Sequence, residues 1–123
     1  MANPNIVNVS TILGVTAYDA DIATSASAIV SNAASSGKVF KINSLIISNI
    51  DGTNAADITA TIRDVAGSTT YSTLASTISV PADSTLVLVS KDSSIYLNED
   101  RAIFLAASVA GDLSGTVSYD EIS

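Results

Sequence analysis

The sequence consists of short apolar segments separated by turn-forming residues, at intervals of about 8–12 positions. Within most segments apolar and polar residues alternate, as in Ile58, Ala60 and Ile62, which are separated by threonines. Successive side chains of a β-strand point to opposite faces, so this period of two indicates strands with one buried face. The pattern therefore predicts a chain built almost entirely of β-strands.

The strongest strand pattern covers residues 38–50. Within it residues 45–47 are apolar on both faces, which predicts a central strand or a bulge that switches parity. The same two-sided pattern at residues 86–89 predicts a second central strand. Residues 22–30 are rich in Ala and Ser and predict a strand, with a helix as the alternative because Ala favours helices. Further strands are predicted at residues 58–62, 70–80 (one strand or two), 95–97, 102–109 and 116–122.

About eight or nine short strands in 123 residues predict one all-β domain, a single antiparallel β-sandwich of jelly-roll or immunoglobulin-like type. Ser and Thr make up roughly a quarter of the chain, and Ile and Val are frequent, which is typical of strands and polar turns. We expect residues 17–123 to form the sandwich and residues 1–16 to form an N-terminal arm or first strand.

The chain contains few residues that could carry out catalysis. The chain contains no Cys and no His, which removes thiolate nucleophiles, Cys-ligated zinc and the commonest general base. Lys38, Lys41 and Lys91 lie in no complete serine–lysine motif, since Ser35 and Lys38 have the Ser-x-x-Lys spacing without the accompanying Ser-Asp-Asn and Lys-Thr-Gly motifs. The pair Asp19 and Asp21 lacks the aromatic surroundings of a glycosidase cleft. We therefore predict that the protein is not an enzyme, has no catalytic residues and carries no cofactor.

Calcium is the one metal for which the sequence offers candidate ligands. Asp51 and Asn54 lie in one predicted turn, and Asp100 lies in another that begins with Asn98-Glu99. Calcium prefers oxygen ligands from such turns, but neither segment matches the twelve-residue EF-hand loop. The alternative is that these residues serve only the local hydrogen bonds of their turns.

Net charge and hydropathy limit which partners the protein can bind and where in the cell it is made. The net charge is −7, and the five cationic residues are dispersed, so we expect no nucleic-acid binding. No apolar run reaches the roughly 18 residues of a membrane span, and the N-terminus has no secretion signal. We expect a protein made in the cytoplasm, not secreted by a signal peptide and without a membrane partner.

Several segments define a recognisable sequence type. They read Val-Phe-Lys-Ile-Asn-Ser-Leu-Ile-Ile-Ser-Asn (39–49), Asp-Gly-Thr-Asn (51–54), Ile-Ser-Val-Pro-Ala (78–82), Lys-Asp (91–92), Ile-Tyr-Leu (95–97) and Val-Ser-Tyr-Asp-Glu-Ile (117–122). Over about two thirds of its length, the chain resembles small virion proteins of tailed bacteriophages, especially those of cyanobacterial and marine hosts. The resemblance implies a β-sandwich capsid decoration (cement) subunit, or a tail or fibre component, and it assigns no site residue.

The function expected from this resemblance is capsid decoration. The protein would bind the major capsid protein or other virion proteins as a homo-oligomer, a trimer, and be located in the virion. The N-terminal arm would extend onto a neighbouring subunit as an added strand, with Ile6, Val7, Val9 and Ile12 as its interface residues.

The alternative is a tail, neck or fibre component with a receptor- or carbohydrate-binding role. Sugar rings stack on aromatic side chains, so this alternative requires exposed aromatic residues that cluster on one face. The only tyrosines are Tyr18, Tyr71, Tyr96 and Tyr119.

Overall fold

A computed structural model describes residues 7–123 of the chain. This part forms nine β-strands and one short 3-10 helix. In chain order they are β1 (Ile12–Asp19), β2 (Ser27–Asn32), β3 (Val39–Asn49), β4 (Ala56–Arg63), β5 (Thr70–Val80), β6 (Thr85–Val89), the 3-10 helix (Lys91–Ser93), β7 (Ile95–Leu97), β8 (Arg101–Ala107) and β9 (Leu113–Ile122). That helix is far too short to cross a membrane, and residues 7–123 contain no longer one.

The strands form two antiparallel sheets that pack face to face. Sheet A has the order β1-β9-β3-β6, with β7 also paired to β3, and sheet B has the order β2-β8-β4-β5. Alternate side chains of the two sheets meet in a shared core of aliphatic residues. The prediction of an all-β sandwich is confirmed.

The strand order is that of a jelly roll. The chain folds as one long hairpin with the β4–β5 turn at its tip, and the pairs β4–β5, β3–β6, β2–β8 and β1–β9 alternate between sheets. The pairings β3–β9 and β4–β8 then join these pairs side by side. In the immunoglobulin order the first two strands are neighbours in one sheet, whereas β1 and β2 lie in different sheets here.

The two-sided apolar run in β3 marks a central strand with a bulge, as predicted. β3 lies between β9 and β6, and its register with β9 shifts between Ile42 and Ser44. This shift changes the parity of the core-facing positions, so that Ile42, Leu45 and Ile47 are all fully buried.

The prediction of a second central strand at residues 86–89 was wrong. This segment belongs to β6, which pairs only with β3 and forms an edge of sheet A. Leu86 and Leu88 pack against the core, while Val87 is exposed on the outer face. The apolar run of β6 therefore belongs to a strand that the rest of the protein covers on one face only.

Two boundaries also differ from the predictions. Residues 22–26 form a loop and not a strand or helix, although Ile22 is fully buried and its N–H donates to the carbonyl of Leu113. β9 begins at Leu113, before the start of the strand predicted at residues 116–122. A Cβ at Gly115 would lie 3.1–3.3 Å from side chains of Leu105, Ile29 and Ile22, so this glycine serves close packing within a strand.

Two buried asparagines connect the sheets at opposite ends of the sandwich. Asn49 of β3, in sheet A, donates from Nδ2 to the carbonyl of Val80 in sheet B at 2.8 Å. Asn32 of β2, in sheet B, donates from Nδ2 to the carbonyl of Leu97 in sheet A at 3.0 Å. Their Oδ1 atoms accept from the N–H of Asp51 and the hydroxyl of Ser36, so both amides are well satisfied. These bonds hold the two sheets in one relative position.

We expect Asn32→Ala and Asn49→Ala each to lower the free energy of unfolding by about 2–4 kcal/mol, because each leaves buried carbonyl and N–H groups without partners. Urea denaturation of both variants measures the loss. Asn54→Ala is the matched control, since Asn54 is exposed and its backbone carbonyl still accepts from Asn49. A loss below about 0.5 kcal/mol in both buried variants would contradict the role assigned to them.

Candidate interaction surfaces

The two ends of the sandwich differ sharply in charge. At one end lie the loops 20–26, 50–55, 81–84 and 108–112, which we call the acidic end. Among the described residues, this end carries half of the twelve acidic side chains and none of the five cationic ones. The acidic residues at or beside these loops are Asp19, Asp21, Asp51, Asp57, Asp83 and Asp112.

Turn hydrogen bonds order the carboxylates of the acidic end. Asp51 accepts from the N–H of Thr53 at 2.9 Å and from the Asn54 amide at 3.3 Å. Asp21 accepts from the N–H of Gly111 at 2.8 Å, which connects two loops. Partial burial raises the pKa of Asp112, and the charge of Asp51, a hydrogen bond to Asp51 and the charge of Asp21 raise it further. The charges of Asp51 and Asp21 thus disfavour the ionised form of Asp112.

The opposite end carries both arginines of the chain, and we call it the arginine end. The Arg101 guanidinium lies 3.8 Å from the ring centroid of Tyr71, and that of Arg63 lies 5.1 Å from the ring centroid of Phe104. Planar guanidinium groups stack on aromatic rings in this way because the ring face is electron-rich. The β4–β5 turn lies against the same cluster, since a Cβ at Gly67 would be 3.1 Å from the Phe104 ring.

The calcium candidates do not come together. Asp51 and Asn54 share a turn at the acidic end, whereas Asp100 lies at the arginine end and accepts from the N–H of Val65 at 3.3 Å. Among the residues that the structure describes, no three Asp or Glu side chains are arranged to hold a metal ion. The three candidates thus lie in two turns at opposite ends of the sandwich.

Lys38, the pair Asp19 and Asp21, and Glu99 each take part in a structural contact. Lys38 forms an ion pair with Glu121. Asp19 accepts from the N–H of Asp21 at 3.2 Å, which closes a local turn. Glu99 accepts from the N–H of Gly37 at 2.8 Å. Each of these contacts stabilises a turn or joins neighbouring strands.

The predicted interface residues of the N-terminal segment fall in three different settings. Ile6 lies outside the described residues. Val7 is 91% exposed and Val9 is half-buried ahead of the first strand. Ile12 begins β1, where it pairs with Ile122 of β9 and remains 58% exposed. The structure therefore places the last part of the predicted arm, residues 12–16, inside sheet A.

The exposed large apolar side chains follow one rule that the sequence pattern did not reveal. Every such side chain that lies in a described strand belongs to a strand at the edge of a sheet. None lies in the inner strands β3, β4, β8 or β9. Those on edge strands are Ile12, Leu13 and Tyr18 in β1, Tyr71 and Ile78 in β5, Val87 in β6 and Tyr96 in β7.

The four tyrosines do not form one aromatic platform. Tyr119 is buried in the core and stacks on Phe40 with ring centroids 4.9 Å apart. Tyr18, Tyr71 and Tyr96 are exposed, but they belong to three different edge strands, β1, β5 and β7. The clustered aromatic face required by a carbohydrate-binding role is therefore not formed by these side chains.

No protein-family model matches the sequence, and no curated protein is significantly similar to it.

The acidic end predicts a specific pH dependence of stability. Because the folded-state pKa of Asp112 is raised above 3.8, the folded protein binds this proton more tightly than the unfolded chain does. The contribution of Asp112 to stability thus increases as the pH falls through the raised pKa, and it is complete below 3.8. At neutral pH the same carboxylate is destabilising.

We expect Asp112→Asn to be at least as stable as the wild type at neutral pH, with this advantage shrinking on acidification. Urea denaturation across the acidic pH range measures the difference between the two proteins. Asp92→Asn, on the 3-10 helix, is the control for the loss of one negative charge away from this end. If the Asp112 variant is less stable than the wild type at neutral pH, repulsion at the acidic end is not the dominant effect.

Proposed function

We propose that the protein is a non-enzymatic structural subunit of a phage virion, a capsid decoration protein that binds the head as a homo-oligomer. The observation that carries this proposal is the confinement of exposed large apolar side chains to edge strands, among the strands the structure describes. Edge strands present unpaired N–H and C=O groups, so apolar side chains beside them create surfaces that bind other chains.

The fold and the charge are compatible with this role. Jelly rolls occur in viral capsid proteins, although they also occur in lectins and other proteins, so the fold by itself decides nothing. The net charge of −7 disfavours contact with packaged nucleic acid and favours partners with neutral or basic surfaces. We propose a virion and not another assembly because residues 38–123 resemble small phage virion proteins.

Location in the particle is the decisive experiment. Cryo-electron microscopy of virions that carry this protein is expected to show its density on the outer surface of the head, at sites related by capsid symmetry. Density confined to the neck, tail or fibres would contradict capsid decoration and favour the alternative location. Absence of the protein from purified particles would contradict a virion role altogether.

The arm hypothesis is tested by a truncation designed from the structure. Removing residues 1–9 spares Ser10 and Thr11, which bond to Ser123, and leaves β1 whole. We expect this variant to unfold at nearly the wild-type urea concentration and to bind purified undecorated capsids at least about tenfold more weakly, because the arm contact is lost.

Removal of residues 1–16 is the contrasting control. It deletes Ile12–Thr16 from the β1–β9 pairing, so we expect it to destabilise the sandwich itself. Capsid binding by the 1–9 truncation that equals wild-type binding would exclude the arm as a contact.

A further inference from the structure

The edges of the two sheets are not equally protected. β5 pairs with β4 through three register shifts, and the pairings of β2 and β6 each contain one. β7 is only three residues long. Bulges and short length are the means by which proteins prevent edge-to-edge pairing. β1 has neither, since its eight residues pair with β9 in one uninterrupted register.

β1 is also the edge with the most exposed apolar surface. Ile12 and Tyr18, 58% and 77% exposed, share the outer face of sheet A, and Leu13 on the inner side is 54% exposed. An exposed Leu on the side that faces the core shows that β2 leaves this margin of the sandwich uncovered. The apolar side chains of β1 therefore reach solvent on both faces of the strand.

Gly14 lies in the middle of this strand with open space around it. A Cβ added to Gly14 would meet no atom within 4 Å, so no close packing inside the subunit requires a glycine here. Glycine in a strand interior weakens the strand and marks places where another backbone approaches closely. Gly14 has the parity of Ile12 and Tyr18, so this open space lies above the outer face of β1, where a larger side chain would meet no atom of the same subunit.

We infer that β1 is the self-association edge of the protein and pairs antiparallel with β1 of a second copy. This inference rests on the proposed homo-oligomer and specifies its contact. An isologous antiparallel pair requires a two-fold axis perpendicular to the sheet, which keeps outer faces on the same side. If the axis passes through the Val15 pair, Ile12 of each copy lies opposite Tyr18 of the other copy. Gly14 of each copy then lies opposite Thr16 of the other.

The charges of β1 permit this pairing. Asp19 is the one charged residue of the strand, and in this register it lies opposite Thr11 of the second copy. No like charges are then directly opposite, although each copy carries a net charge of −7. The facing Ile and Tyr are a favourable cross-strand pair. Two A sheets joined in this way form one continuous sheet.

The symmetry of the contact sets the size of the assembly. A two-fold pair closes on two copies, so it produces a dimer and not the trimer expected from the sequence alone. We therefore expect the purified wild-type protein to sediment as a monomer–dimer equilibrium that shifts to dimer with rising concentration.

A charge at the centre of β1 tests the contact. Gly14→Lys fits the isolated subunit, because the space around Gly14 is open, but it places two lysines beside the axis. We expect this variant to raise the dimer dissociation constant by about a hundredfold or more in sedimentation velocity, while its urea midpoint stays near that of the wild type. Thr73→Lys makes the same change of charge on the exposed edge β5 and should leave the dissociation constant unchanged.

A cysteine at the axis tests the register. The chain has no native cysteine, so Val15→Cys introduces the only thiol. Directly opposite residues of an antiparallel pair have Cα atoms about 4.5–5.5 Å apart, which is within the disulfide range. Mild oxidation should therefore convert Val15→Cys to a covalent dimer, whereas Val87→Cys on the edge β6 should remain largely free of the covalent cross-link.

Four outcomes would overturn the inference: a wild type that is monomeric at all concentrations, a wild-type trimer, a Gly14→Lys variant that dimerises normally, or equal cross-linking of the two cysteine variants. Capsid binding separates these outcomes from the proposed function. A Gly14→Lys monomer that still binds undecorated capsids would support both the β1 contact and the decoration role. A wild type that forms dimers but does not bind capsids would support the β1 contact and contradict the decoration role.

Discussion

The relative position of the two sheets depends on a few directional hydrogen bonds in a core that is otherwise aliphatic. Hydrophobic packing is non-directional, so Ile, Leu and Val side chains alone permit several relative positions of two sheets at similar cost. The side-chain amides of Asn49 and Asn32 bond across the core to the carbonyls of Val80 and Leu97, one at each end of the sandwich. A displacement of one sheet along the other would break these bonds and leave buried polar groups unsatisfied.

This fixed arrangement holds the loops at each end of the sandwich in place. Each Asn lies beside the loops of its own end, and Asn49 also accepts from the N–H of Asp51, the first residue of the acidic β3–β4 turn. The loops of the acidic end are consequently held close together despite the repulsion between Asp51 and Asp112 that raises the pKa of Asp112. At the other end, the cations are held by Tyr71, Phe104 and Glu121.

The jelly roll leaves edge strands on both sides of the sandwich, and these edge strands differ in how regular they are. β5 is long and uncharged, yet its bulges, together with the left-handed conformation of Thr77, make it an irregular template for pairing. β1 is regular, presents exposed apolar side chains on both faces and has Gly14 near its centre. A monomeric protein gains nothing from such an edge, whereas a subunit of an assembly can use it without further change of structure.

Local patterns in the sequence determined the β class, most strand positions and the core-facing side of strands such as β4, because a period of two directly reflects which face is buried. The same patterns failed for β6, whose apolar run resembles a central strand, and for Gly115, which packs against three distant side chains. They also did not mark Asn32 and Asn49 as buried. Which strands become edges, which loops share an end and which asparagines are buried depend on pairings such as β1–β9 and β2–β8, between segments far apart in the chain. Those contacts exist only once the sheets have formed, so tertiary structure alone decided where the protein presents its charges and its open edge.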